Sequence, residues 1–460
     1  MQYLGVEYSV KHPPVLDPEF IPFGIWIENY LKDAHKPIAI AVERENGQVY
    51  VHNTFITGDP VKKGADFRYV ERLVKFLLWS VGGWKVYLCG CSEIAKKLQK
   101  SYTATGERSF DCEIFERIYE RKIEILDLPI DQCPISFEQA KPIGGHLDGC
   151  RIGFDAGGSD RKVSAVVDGE VIYSEEVVWH PKKNPDPEYQ YQGILDSLRT
   201  AASKMPRVDA IGISSAGTFI NNCTMVSSIF YCVPKENWAD AKTAFIRAAA
   251  QIGDVPLVVA NDGDVSALAG SMSLDSGCVM GLAMGTSEAV GYVNRDGYLL
   301  GWLNELAFAP VDLNENAVQD EWSTDIGVGC KYFSQDAVNK LAPRAGIELN
   351  EELSPAEKLK VVQGLAEKGD ERALEVFSDI GKYLAYTLVL YLRIYDMKHL
   401  MLLGRVMSGR GGDVILETCQ RIMHEEYPQL SQGLNILLPD EKTRRVGQSV
   451  AAASLPSIGR

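Results

Sequence analysis

The sequence predicts an α/β protein in which mixed sheets are flanked by helices. Three observations carry this reading. Short apolar runs alternate with helical patterns through most of the chain, the signature of strands joined by helical crossovers. The segment Arg151–Glu170 reads as a tight hairpin, with strands at Ile152–Phe154 and Lys162–Val167 around Asp155-Ala-Gly-Gly-Ser159 and an Asp168-Gly169 turn beyond. Two further glycine turns, Gly285–Ser287 and Gly404–Gly412, each follow a short apolar strand. At 460 residues the chain is long enough for two or three domains with full cores.

Three regions follow. In the first, residues 1–149, Pro37–Glu43 and Gln48–Phe55 pair across Asn46-Gly47, a strong hairpin signal. A helix is predicted at Phe67–Val81 and a strand at Lys85–Cys89, and a loop-rich linker closes the region. This β-β-α-β order recurs at 151–214, with a helix near Tyr189–Lys204 and a strand at Asp209–Ser214. The first region is therefore either a degenerate duplicate that lost the Asp-Gly-Gly turn or an unrelated α/β accessory domain. The second region, 150–275, continues with a helix at Asn237–Ile252 and the strand Leu257–Ala260. The third, 276–460, holds strands at Cys278–Met284 and His399–Leu403. Its helices are expected near Phe333–Ala342, Pro355–Glu367, Glu371–Tyr391 and Asp413–Glu426. A last, closely packed helix, Thr443–Ser454 with Gly447 and an alanine run, returns to the first lobe.

Composition narrows the function classes. A formal net charge of −15 argues against nucleic-acid or anionic-membrane partners, which require a basic face. The most apolar long stretch, Leu384–Leu403, contains Arg393, Asp396 and Lys398 and makes a poor membrane span. No basic-then-apolar leader opens the chain. The ten cysteines show no CxxC or zinc-like spacing, and Cys89 and Cys91 read as buried reduced thiols. Together these features lead us to expect a reducing, cytoplasmic setting.

There is no GxxxxGK[ST] loop and no GxGxxG after a strand. The Asp155–Ser159 bend is by itself equally an ordinary hairpin turn. Its glycines let backbone N–H groups approach phosphate oxygens, and the Asp155 carboxylate can hold a hydrated Mg²⁺. Three such turns in order suit one triphosphate: the first for metal and terminal phosphates, the second closing on the phosphates, the third beside a helix N-terminus for the nucleoside. Asn261-Asp262 ends the apolar run VPLVVA, where α/β folds place reactive groups. Asp262 is either a general base on an acceptor hydroxyl, with Asn261 bonding the same substrate, or part of a helix N-cap.

The series Asp155-Ala-Gly-Gly-Ser, Gly212-Ile-Ser-Ser-Ala-Gly217, Asn261-Asp262-Gly, Gly285-Thr-Ser and Leu403-Gly-Arg-Val-Met-Ser-Gly409 resembles the ROK family of sugar kinases, within the actin/hexokinase/Hsp70 superfamily. The likeness spans about 150–455. It implies two ribonuclease-H-like lobes around an ATP cleft, the N-terminal region being extra. It implies ATP and Mg²⁺ as cofactors, a hexose or related sugar as acceptor, and Asp262 as the catalytic base. Asn261, Glu305, Ser215 and Gly217 would bind the sugar. Asp155, Gly157, Gly158, Ser159, Gly285, Thr286, Ser287, Gly404, Arg405 and Ser408 would bind phosphate and nucleoside, with Asp155 positioning Mg²⁺ through water. By the same analogy a homodimer is an expectation.

The chain departs from that pattern where the acceptor would sit. In Asn304-Glu305-Leu306-Ala307-Phe308 the family's Glu is kept, but Phe308 stands at its His position. Asp325-Ile-Gly-Val-Gly-Cys330 keeps only the Gly-Cys end of a zinc-binding cluster, so no structural zinc is expected, and Tyr332 replaces a Glu. Glu288 follows the second turn where glycine is usual, either bringing a negative charge near the phosphates or pointing into solvent. Two functions fit: an ATP-dependent carbohydrate kinase, or a non-catalytic sugar- or nucleotide-binding regulator acting through protein contacts.

Overall fold

The structure, a computed structural model, describes residues 1–139, 142–439 and 441–459, with only the backbone described for 441–446. The chain divides into two compact units. One comprises Met1–Gln139, Leu282–Val290 and Trp302–Leu438; the other comprises Ala140–Gly281, Gly291–Gly301 and Pro439–Arg460.

The unit containing Ala140–Gly281 is built on a five-stranded mixed sheet. Cys150–Ala156, Asp160–Val167 and Glu170–Val178 form an antiparallel meander. Ala210–Ser215 then lies parallel to Cys150–Ala156, and Leu257–Asn261 parallel to Ala210–Ser215. The second bend, Asp168-Gly169, has positive φ at both residues (47° and 85°), the conformation that matches hairpin twist. Glu170–Val178, not predicted from sequence, is the sheet edge. Its pattern is broken by Ser174, Glu175 and Glu176, and Val171, Ile172 and Val178 are exposed.

Helix Pro187–Ala202 begins at the Asp186 cap, whose carboxylate accepts from Glu188 N–H, with Pro187 at the first helical position. It buries Ile194, Leu195, Leu198 and Ala201, spaced along one face, in a core shared with Ile152, Phe154, Ile211, Ile213 and Phe245. The C-terminal helix packs closest of all. A β-carbon on Gly153 would lie 1.7 Å from the Ser449 carbonyl oxygen, and one on Gly212 1.7 Å from that of Ala452. Only glycine at these strand centres admits the helix backbone. Gly447 does not serve this packing: with φ 61° and ψ 160° it kinks the segment Glu441–Ala453, and a β-carbon there would meet nothing within 4 Å.

The other unit contains two four-stranded sheets. In the first the order is Val49–Ile56, Lys36–Glu43, Lys85–Cys89, Glu124–Leu128. The Asn46-Gly47 hairpin forms as the sequence suggests, with φ of 59° and 69°. The recurring β-β-α-β order is not a recurring topology. Lys85–Cys89 runs antiparallel to Lys36–Glu43, whereas Ala210–Ser215 runs parallel to Cys150–Ala156. The second sheet takes Glu288–Val293, Val279–Met284, His399–Leu403 and Asn435–Leu437 in that order, the first two strands running on into the other unit. Helices Gln335–Arg344, Pro355–Glu367, Glu371–Tyr391 and Gly409–Glu426 belong to this unit, as does Lys63–Ser80. The first starts two residues later than expected because Ser334 caps it, accepting from Asp336 N–H.

Residues 1–128 are woven into this unit. Phe23 N–H bonds to the Val311 carbonyl at 2.9 Å, Leu313 N–H to that of Ile21 at 2.9 Å, and Glu305 N–H to that of Trp79 at 2.9 Å. Cys89 and Cys91 are buried and unbridged. Among the described residues no helix is long and apolar enough to cross a membrane.

Candidate functional site

In the unit holding Ala140–Gly281, three parallel strands end level. Register pairs Ser214 with Asp155 on one side and with Ala260 on the other, so Asp155 and Asp262 emerge at the same edge with Ser214 between them. Ser214 is fully buried, its hydroxyl bonds the Asp155 carboxylate, and it accepts from Gln448 Nε2 at 3.2 Å. Burial raises the Asp155 carboxyl to about 6, Ser214 opposes that rise, and the Asp262 charge adds to it. Burial likewise raises Asp262, against the N–H of Gly263 and the charge of Lys182. Two carboxyls at the C-terminal edge of one sheet, on either side of the strand Ala210–Ser215, form an arrangement able to accept a proton beside a bound anion.

The residues around them divide by what their polar atoms already do. Asn261 Nδ2 donates to the Gly217 carbonyl at 2.8 Å and its Oδ1 accepts from Gly263 N–H at 2.7 Å, so its amide caps helix Asp262–Leu274. That cap frees Asp262 from the N-cap position and sets it in the first turn, where the helix dipole favours a negative charge. Ser215 is fully buried and donates to the Ala156 carbonyl at 3.1 Å, holding a strand end. Gly217 has φ 143°, and a β-carbon there would lie 2.2 Å from the Val226 carbonyl.

The Gly157–Ser159 bend is pinned from behind. Trp179 Nε1 donates to the carbonyls of Gly157 (2.8 Å) and Asp160 (3.2 Å), and Ser159 Oγ to Asp160 Oδ2 (2.8 Å). Lys182, which the sequence did not single out, reaches this bend: a β-carbon on Gly158 would lie 2.8 Å from its Nζ. Its only sequence signal is a basic pair, Lys182-Lys183, just beyond the edge strand.

The other predicted residues belong to the unit holding Trp302–Leu438. Thr286 and Ser287 are exposed at their turn, and Gly285 N–H bonds to the Ser287 carbonyl at 3.0 Å. Gly404, with φ 92°, lies against Met284: a β-carbon there would be 2.4 Å from the Met284 carbonyl oxygen. The second and third glycine turns are thus neighbours. Gln363 Nε2 holds the carbonyls of Arg405 (2.8 Å) and Ser408 (3.3 Å), while Arg410 N–H bonds to Glu367 Oε1 at 2.7 Å. Arg405 and Ser408 are exposed.

Glu288 points neither into solvent nor outward from its turn. It is 4% exposed, accepts from Tyr391 Oη at 3.3 Å, and packs beside Gly329. Burial raises its carboxyl to about 8, so it is largely protonated at neutral pH and adds little negative charge.

The departures near Glu305 have a common partner in residues 1–128. Phe308 packs on Trp79 and Phe110, with ring centroids 4.7 and 5.4 Å apart. Tyr332 is buried against Phe20, donates to Asp312 Oδ2 at 2.5 Å, and carries Lys340 Nζ 4.1 Å above its ring. Asp325 is ion-paired to Arg72 (3.0 Å), Lys75 (2.8 Å) and Arg108 (3.0 Å), which also engage Glu71 and Asp111. The three cations hold the Asp325 carboxyl well below the usual carboxylate range.

Among the described residues no group of three or more side chains could hold a metal ion. The carboxylates at the first turn are Asp155 and Asp160, and Asp160 Oδ2 already accepts from Ser159 Oγ. That fits Mg²⁺ only as a largely hydrated ion held through water, the form in which Mg²⁺ sits among phosphates.

No protein-family model matches the sequence, and no curated protein matches it. Solved structures do. A ROK family transcriptional regulator, homologue of the E. coli Mlc protein, superposes with TM-score 0.53 at 17% identity, covering 67% of this chain and 79% of that one. The ROK hexokinase of Thermus thermophilus gives TM-score 0.51 at 16% identity, covering 66% of this chain and 97% of that one. At such identities the likeness shows the fold. The chain is a mixed α/β protein with the fold of ROK hexokinase-like proteins. That fold serves a kinase in one of these structures and a regulator in the other.

Proposed function

We propose that this chain is a divergent ROK-type carbohydrate kinase, transferring the γ-phosphate of ATP to a hydroxyl of a hexose or related sugar. The observation that supports this most is the Asp155–Ser214–Asp262 edge, with a glycine bend beside Asp155 and a lysine above the bend. In this reading Asp262 takes the proton from the acceptor hydroxyl. The freed oxygen attacks the γ-phosphorus in line, and the bond to the bridging oxygen breaks with its electron pair leaving on ADP. Asp155 would hold hydrated Mg²⁺, which supplies charge neutralisation at the phosphates. The exposed turns at Gly285–Ser287 and Gly404–Ser408 would receive the rest of the nucleotide, and Glu305 a sugar hydroxyl. Because Phe308 is apolar and the Tyr332 hydroxyl is committed to Asp312, both side chains being packed by residues 1–128, the acceptor is recognised by fewer polar contacts than a simple hexose would invite.

The test is ADP release in Mg-ATP across a panel of hexoses and N-acetylhexosamines, beside an Asp262→Asn control. Sugar-dependent turnover that vanishes in the variant while nucleotide still binds supports the kinase. Ligand binding with no sugar-dependent turnover in the wild type would replace it with the regulator reading.

A further inference from the structure

We infer that Lys182 is a phosphate-binding residue of this chain, its ammonium meeting anionic oxygens held over the Gly157-Gly158 bend. The inference rests on the kinase reading and adds to it a cation that the sequence motifs do not contain.

Three observations carry it. A β-carbon on Gly158 would lie 2.5 Å from Lys182 Cε and 2.8 Å from Nζ, so the lysine stem occupies the space that a side chain at the bend would fill. Glycine at 158 thus serves the lysine as well as the backbone. The segment carrying Lys182 is anchored. Cys232 Sγ donates to the Lys182 carbonyl at 2.9 Å, the buried Gln190 donates to the Pro181 carbonyl at 2.9 Å, and His180 N–H donates to Tyr189 Oη at 3.0 Å. A lysine on a fixed backbone loses less freedom on meeting a ligand than one on a loose loop. Finally, Lys182 has no carboxylate within ion-pair distance among the described residues, yet its charge is felt at Asp262. An ammonium left without a counter-ion, beside backbone N–H groups and near the proposed base, is disposed toward an anion.

In the transfer step Lys182 donates hydrogen bonds to non-bridging phosphate oxygens and keeps its protons. The acceptor proton goes to Asp262 and the departing electron pair to ADP, so the balance of the reaction is unchanged. Its contribution is electrostatic, greatest where negative charge accumulates in the transition state.

The test uses the full chain with Lys182→Gln and Lys182→Arg, each checked for unaltered thermal unfolding. Equilibrium binding of inorganic tripolyphosphate is measured by calorimetry, and Mg-ATP turnover with the best acceptor by steady-state kinetics. K182Q is expected to weaken tripolyphosphate binding about tenfold or more and to lower kcat by roughly 10²-fold, with partial recovery in K182R. Wild-type affinity and kcat in K182Q would overturn the inference and leave the kinase reading standing. Tripolyphosphate binding that depends on Lys182, in a wild type that turns over no sugar, would uphold the phosphate contact and remove the kinase reading.

Discussion

Arg72 and Asp325 form a buried ion pair, Nη1 to Oδ2 at 3.0 Å, between residues 253 apart in sequence. Arg72 is 2% exposed and Asp325 7%, and Lys75 and Arg108 reach the same carboxylate. The loop on which the family resemblance places a metal cluster is therefore tied in this chain to residues 63–119 by charge. Cutting one member of such a cluster strands the others in a medium that solvates them poorly.

Asp325→Asn should accordingly lose about 3–5 kcal/mol of stability at neutral pH, read by chemical denaturation. The pH dependence has a definite sign. The folded carboxyl titrates well below its unfolded value near 3.8, so its stabilisation is complete above that value and is lost as pH falls below it. The variant should therefore show a shallower acid limb than the wild type. An unchanged midpoint at neutral pH would contradict the network's structural role.

Glu288 predicts the opposite trend. Its carboxyl is raised from 4.5 to about 8 by burial, so the native state holds a proton that the unfolded chain releases. Wild-type stability should decline as pH climbs from about 4.5 to 8 and level off above. Glu288→Gln keeps the shape without the charge. Unfolding followed at pH 9 should find it more stable by roughly 3–5 kcal/mol, with the difference vanishing near pH 4.

Gly153→Ala should cost roughly 3 kcal/mol or more, because the Ser449 carbonyl cannot yield without moving the whole C-terminal helix. Limited proteolysis should then cut near the C-terminus first. Gly364→Ala is the control: it lies in helix Pro355–Glu367 with nothing within 4 Å of a new β-carbon, and should stabilise by about 0.5–1 kcal/mol. Equal thermal shifts for the two would refute the packing argument.

If Asp262 is the base, kcat/KM should rise with pH on an acid limb lying above the ordinary carboxylate range, since burial raises that carboxyl. Activity falls as pH drops through the raised value because the protonated base cannot accept a second proton. A pH–rate profile is decisive: a limb at or below 3.8 would mean that another group carries the proton.

Much of the first half of the site was legible in the sequence because its determinants are local. The bend at Asp155–Ser159 and the step from Leu257–Asn261 into a helix are set by adjacent residues. Asn261 shows the limit of such reading. Local sequence could not say whether the cap is Asn261 or Asp262, and the difference decides which side chain is left for chemistry. Glu71, Arg72 and Lys75 mark another limit, since charges on a helix ordinarily face water. Here they are buried because Asp325 and Arg108 arrive from distant parts of the chain.

By itself the sequence determined the alternation of strands and helices, the three glycine turns and the aspartates at strand ends, all consequences of periodicity and backbone freedom over a few residues. Only the tertiary structure decided that Gly153 and Gly212 make room for the C-terminal helix, that Lys182 stands over the Gly158 bend, and that Asp325 is held by three cations. The physical reason is the same in each case. Close approach, burial and charge pairing depend on which distant segments meet, and no local pattern of residues records that meeting.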